Sequence, residues 1–251
     1  MFDPRLIRAE ALKLRRRRGM LALAALVTLG VVALAYTVMA VQHSSNPGKY
    51  GPAGGLSNYR DSIEVLLVLA TVAGTIVGST AGAQDIESGV FRDLAATGRS
   101  RIALFGARVA GAWGIVLPIV AAAATLAGVL SLALAGSATT PDAGALVEGT
   151  AAALAAGAVS SAIAVGLCTL VGSRGPVIGV MLAFNLALAP LLANMSFLGD
   201  AREALPTVAL GEIAHTPVTV HTGLALAIAV LGAWIAAALA AGAWRTKTRE
   251  I

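Results

Sequence analysis

Charge is what this sequence has least of. Only 12% of its 251 residues are Asp, Glu, Lys or Arg, about half the share found in soluble domains. It has one cysteine, Cys168, which excludes an internal disulfide and a thiolate metal site. Aromatic residues make up 4%, so alanine and glycine supply much of the apolar content. No Walker lysine motif, HExxH or GxSxG occurs. The stretch NPGKYGPAGG is not a phosphate cradle, because no Gly-Lys-Ser/Thr follows. His43, His215 and His221 fall in loops with no helical spacing between them, so metal ligation is not expected. No ionisable residue lies near the centre of any long apolar run; Glu64 and Glu148 sit close to run ends. An ion-driven carrier usually buries such a group at mid-membrane. Its lack argues against an ion-coupled carrier and an intramembrane hydrolase, so energy for any transport must come from outside the chain.

What is there is apolar sequence. Hydrophobic residues account for 57% and the mean hydropathy is +0.83, the profile of a polytopic helical membrane protein. A crossing helix needs about 20 apolar residues. Six runs meet or approach this: 20–41, 63–83, 108–135, 145–172, 176–197 and 222–244. The predicted fold is therefore all-α with six transmembrane helices. Arg174, Gly175 and Pro176 are expected to mark a tight turn between the fourth and fifth. Pro118 and Pro190 lie inside spans and are expected to kink them.

Lysine and arginine set the orientation. Of eighteen, seven precede the first run, and Arg92, Arg99, Arg101 and Arg108 surround the connection after the second. Arg174 lies in the tight turn, and Arg245, Lys247 and Arg249 follow the sixth run. Only Lys49, Arg60 and Arg202 fall on the other face. This asymmetry predicts both termini in the cytoplasm. It also accounts for the net charge of +5 without nucleic acid as a partner. A cleaved signal peptide fits poorly, since the first run exceeds the usual length of a signal core.

The organisation follows. Residues 1–19 form a cytoplasmic amphipathic segment, 20–244 the membrane domain and 245–251 a basic tail. In the first segment Leu6, Ile7, Ala11 and Leu14 share one helical face, so it is expected to lie on the lipid surface. Its four arginines, Arg15 to Arg18, are topogenic; a contact with a cytoplasmic partner is a second use left open. The outer loop 198–221 is expected to hold one or two short helices dipping into the interface.

Two sets of residues stand out within the membrane domain. Gly74, Gly78 and Gly82 recur at intervals of four beside Thr75 and Ser79, a close-packing face. This face serves ordinary helix contact, a dimer contact or a substrate path. Asn185 and Asn194 in the fifth run are expected to bond between helices, although Asn185 equally suits a cavity or a second subunit.

The segment QDIESGVFRDLAATGRSR, residues 84–101, is the most charged part of the interior sequence. Acidic residues have no topogenic purpose, so they point to a partner. Mixed charge on a short segment gives specific, reversible docking, and Gly89 permits a sharp change of direction.

The chain resembles the membrane subunit of type-2 ABC exporters, the drug and antibiotic efflux permeases. The resemblance rests on the lead-in RAEALKLRRRRG with Glu10, Lys13 and Leu14, on the 84–101 segment, and on the basic ending AWRTKTREI. Within the loop, Asp85, Gly89, Leu94, Ser100 and Arg101 match the family's pattern. Val90 stands where threonine is usual and Gly98 where proline is common. The resemblance implies a dimer of six-span halves, homomeric or heteromeric, and a coupling helix in the loop 84–107 that docks on a separate ABC ATPase. Asp85, Glu87, Gly89, Arg92, Leu94 and Arg101 would form that contact. It also implies no catalytic residue and no cofactor in this chain, ATP and Mg²⁺ being held by the partner, and export as the direction. The competing readings are a secondary transporter or channel, a membrane enzyme and a non-transporting anchor. The alanine- and glycine-rich composition fits a bacterium with GC-rich DNA, hence a bacterial cytoplasmic membrane.

Overall fold

The computed structural model describes residues 4–90, 100–215 and 222–248. Everything regular among them is helical. An N-terminal helix, α1 (Pro4–Arg15), precedes six helices long and apolar enough to cross a membrane. These are α2 (Arg18–Ser45), α3 (Leu56–Glu87), α4 (Arg101–Ala133), α5 (Ala143–Val171), α6 (Arg174–Asn194) and, last in the chain, α8 (Leu224–Thr248). Between α6 and α8 lie a 3₁₀ segment, Ser196–Ala204, and α7 (Pro206–Ile213).

The six spans match the apolar runs, but α3 and α4 are longer than expected. At 32 and 33 residues they reach about 50 Å, well beyond the ~30 Å of hydrocarbon. Residues 84–87 and 101–107, predicted as loop, continue these helices. The connection narrows to 88–100, of which 91–99 lie outside the described residues.

Local signals explain the helix ends. Asp142 caps α5 through its Oδ1, which accepts the Ala145 N–H at 2.8 Å. Gly172 ends α5 with φ +82, the left-handed position that favours glycine. The turn into α6 is thus Gly172–Ser173, and Arg174, Gly175 and Pro176 already form the first helical turn, where proline is tolerated. Pro118 leaves α4 helical on both sides. Pro190 follows a π turn at Phe184–Leu188, which absorbs the missing N–H. A second π turn, Leu26–Gly30, interrupts α2.

The core is built on α3 and α5. In α3, 72% of the apolar window is buried, against 11% in α8. The glycine face of α3 makes this contact. A Cβ on Gly74 would lie 2.7 Å from the Gly157 carbonyl oxygen, and one on Gly82 2.8 Å from Cys168 Cβ. A Cβ on Gly78 would overlap the Ser161 carbonyl oxygen. Their partner is α5 of the same chain, so this face is filled. Hydroxyls cross the same seam: Ser160 donates to the Thr71 carbonyl at 2.7 Å, and Thr75 Oγ1 lies 2.9 Å from Ser160 Oγ.

The far ends of the helices are tied by backbone. The 46–55 loop folds onto the end of α4, with the Gly54 and Gly55 N–H groups donating to the carbonyls of Leu134 and Ser131. Of the one or two short helices expected between 198 and 221, the described residues show the 3₁₀ segment and α7, but α7 packs inward, burying Val208, Ala209 and Leu210 against α8 and α5.

Candidate functional site

Several of the charged residues that the sequence places on one face meet at one end of the bundle. Asp85, in the last turn of α3, is the centre of a cluster. Lys13 Nζ of α1 donates to its Oδ1 at 2.7 Å and its Oδ2 at 2.9 Å. Arg108 Nη2 of α4 donates to Oδ2 at 3.2 Å. Lys13 also reaches Glu10 Oε1 at 2.9 Å, one helical turn back. The Asp85 and Arg108 side chains are 4% and 1% exposed. Two carboxyls and two cations thus meet at the junction of three helices, with Asp85 and Arg108 buried and Lys13 partly open to solvent.

Each helix contributes for a local reason. The face of α1 carrying Leu6, Ile7, Ala11 and Leu14, expected on the lipid surface, turns inward instead and packs on α4. Gly111 allows the approach, since a Cβ there would come 2.8 Å from Glu10 Cβ. This contact carries Glu10 and Lys13 to the end of α3. Arg108 lies eight positions into α4, deeper than a boundary arginine.

Desolvation is the main electrostatic cost. A charge taken out of water must be matched by a partner in good geometry, and Asp85 receives three hydrogen bonds from two cations. Glu10 fares less well. Burial pushes its carboxyl above the ordinary glutamate value of 4.5 against the opposing pull of Lys13, and its Oε2 has no hydrogen-bond partner. A carboxyl raised in the folded state holds a proton that the unfolded chain has already released. Its contribution to stability is complete below pH 4.5 and fades as pH rises through the raised value. Glu10→Gln is therefore expected to flatten the fall in melting temperature from pH 4.5 upward. Identical pH profiles for the variant and the wild type would show that Glu10 is not the group responsible.

The other predicted loop residues are placed as follows. Glu87 accepts the Arg174 backbone N–H at 2.8 Å, with Arg174 Nε 3.5 Å from its other oxygen. Its carboxylate therefore sits at the N-terminus of α6, where an anion is favoured. Arg101 Nη1 donates to the Lys247 carbonyl at 3.3 Å, joining α4 to the end of α8. Gly89 has φ +75 with open space around it, the change of direction expected there. Arg92 and Leu94 lie outside the described residues.

The structure thus brings Asp85, Glu87 and Arg101 to one end but turns their side chains toward neighbouring helices. Asp85 was expected on a docking surface and is buried instead. Lys13 and Arg108 as its partners were missed: the sequence shows them as topogenic charges. One signal was available, since residues 102–107 before Arg108 are apolar or glycine, which extends the helix and draws Arg108 inside it.

Asn185 and Asn194 lie in α6, and the bonds their amide nitrogens make stay inside it, to Met181 O at 2.9 Å and Pro190 O at 2.8 Å. The helix contacts that do cross are made by other groups, among them Tyr36 with Ser131 and Trp113 Nε1 with Ala158 O. His43 and His215 serve separate contacts, with Tyr50 O and with Glu148 at 3.5 Å; His221 lies outside the described residues.

The family model described as "ABC-2 family transporter protein" matches residues 6–190. That span contains all four residues of the cluster, the first four crossing helices and most of the fifth. No curated protein matches the chain. With six crossing helices and a match over most of its length, the chain belongs to the ABC-2 transporter family and is a multi-pass type-2 ABC permease.

Proposed function

We propose that the chain couples ATP hydrolysis in a separate ABC ATPase to export of a substrate across a bacterial cytoplasmic membrane. ATP and Mg²⁺ belong to that partner. Connection 88–100 is the docking element and faces the cytoplasm, together with both termini. The observation that carries this reading is how the ends of the connection are bonded. Asp85 and Glu87 on one side and Arg101 on the other are joined to α1, α4, α6 and α8. A push on the connection therefore reaches α1, α6 and α8, besides the two helices it joins, through polar contacts.

On this reading Asp85, Glu87 and Arg101 are positioning residues that hold the connection, while Arg92 and Leu94 touch the ATPase. Gly89 sets the exit angle. The permease works as a homodimer or heterodimer. The low burial of α2, α6 and α8 within one chain leaves ample apolar face for a second copy and for lipid.

The test is co-expression with ABC ATPases of the same genome, followed by affinity purification. Wild type is expected to retain one ATPase, and Arg92→Glu/Leu94→Asp to lose it at unchanged melting temperature. Retention by the variant, or no ATPase bound to the wild type, would reject docking through this connection.

A further inference from the structure

Arginines 15 to 18 lie at the elbow between α1 and α2. Arg15 ends α1, Arg16 and Arg17 form the bend, and Arg18 opens α2. Beside the bend, Ala9, Leu12, Lys13, Arg16, Arg17 and Gln84 line a recess of about 480 Å³. Lys13 is already committed to Glu10 and Asp85. Arg16 and Arg17 are exposed, and among the described residues neither they nor Arg15 and Arg18 have an acidic partner. The recess thus carries positive charge that no described residue balances.

Its other features narrow the ligand. Leu12 is 57% exposed on the side of α1 turned away from the bundle, so the cationic rim has an apolar flank. Gln84 Oε1 has no hydrogen-bond partner and is available as an acceptor for a hydroxylated ligand. The apolar part of α2 begins at Met20, three residues after Arg17, or about 5 Å along a helix. That is the depth at which a lipid phosphate meets the acyl region. A free anion would use the arginines but not the exposed leucine or this depth.

We propose that this recess binds the headgroup of an anionic phospholipid. Arg16 and Arg17 hold the phosphate, and Leu12 and Ala9 flank the start of the acyl chains. The inference requires only that the chain sits in a bilayer; it does not depend on the ATPase reading.

The experiment is native mass spectrometry of the full-length protein in detergent, titrated with phosphatidylglycerol, phosphatidylcholine or inorganic phosphate. One tightly held phosphatidylglycerol per chain is expected, with phosphatidylcholine lost and inorganic phosphate unable to displace the bound lipid. Arg16→Gln/Arg17→Gln should weaken binding roughly thirtyfold, from about fivefold per interfacial cation. Arg15→Gln/Arg18→Gln removes the same charge outside the recess and should leave binding near wild type. Single Arg16→Gln and Arg17→Gln variants, each about fivefold weaker, cover the case in which the double variant fails to fold. Equal losses in the two double variants would reduce the effect to diffuse charge and overturn the proposal. Displacement by inorganic phosphate, or equal retention of phosphatidylcholine, would also overturn it.

Discussion

Asp85→Ala is expected to destabilise the protein by about 3–5 kcal/mol, the cost of breaking a buried ion pair from one side. The substitution takes from Arg108, 1% exposed, the carboxylate that accepts its hydrogen bond. It also releases Lys13 and with it the hold of α1 on α3. A large fall in melting temperature, with loss of the monodisperse peak on gel filtration, is the expected result. Removing both charges should do far less harm. Asp85→Asn/Arg108→Gln leaves no lone buried ion, and replacing a buried pair is often neutral. A double-mutant cycle of Asp85→Asn, Arg108→Gln and their combination isolates the coupling. Additive losses would mean that the two groups do not depend on each other, and a stable Asp85→Ala would mean that the cluster is hydrated.

Gly78→Val is expected to have the second-largest effect. An added Cβ would overlap the Ser161 carbonyl oxygen and lie 2.8 Å from Ser161 Cα and 2.9 Å from Ala164 Cβ. Two of these atoms are backbone, so the neighbour cannot rotate away. The helices must separate along the seam that forms the core, and overpacking of this kind costs about 1–3 kcal/mol or more. Gly78→Ala should show a smaller loss of the same origin. Gly114→Ala in α4, where no atom lies within 4 Å of the added Cβ, is the matched control. It should be neutral or stabilising by up to about 1 kcal/mol, because glycine is the poorer helix former. Equal melting temperatures for Gly78→Val and Gly114→Ala would show that α3 and α5 are not in close contact.

The comparison of sequence and structure divides along physical lines. The six crossings were legible because apolar length is a local property that solvent and lipid both enforce. The glycine face was legible because a four-residue interval places small residues on one side of a helix, and α5 fills it. The partners of Asp85 were not legible. Lys13 is 72 residues before it and Arg108 is 23 after it, and no local pattern encodes a contact among three helices. The acidic residues of the 84–101 segment did point to a binding requirement, but Asp85 and Glu87 meet it inside the chain. A lone amide in a span needs a partner, and the Asn185 Nδ2 finds one in its own helix at the Met181 carbonyl.

The cluster around Asp85 also bears on synthesis. Lys13 is made 95 residues before Arg108, which at 5–20 residues per second is roughly 5–20 s of translation. Until α3 and α4 are both in place, Lys13 and Glu10 have only each other, and the apolar face of α1 has no α4 to cover it. Docking of α1 is therefore a late event in biogenesis, although α1 is made before α3 and α4. A ribosome stalled beyond α3 but before α4 would hold a nascent chain whose α1 is still open to proteases and chaperones.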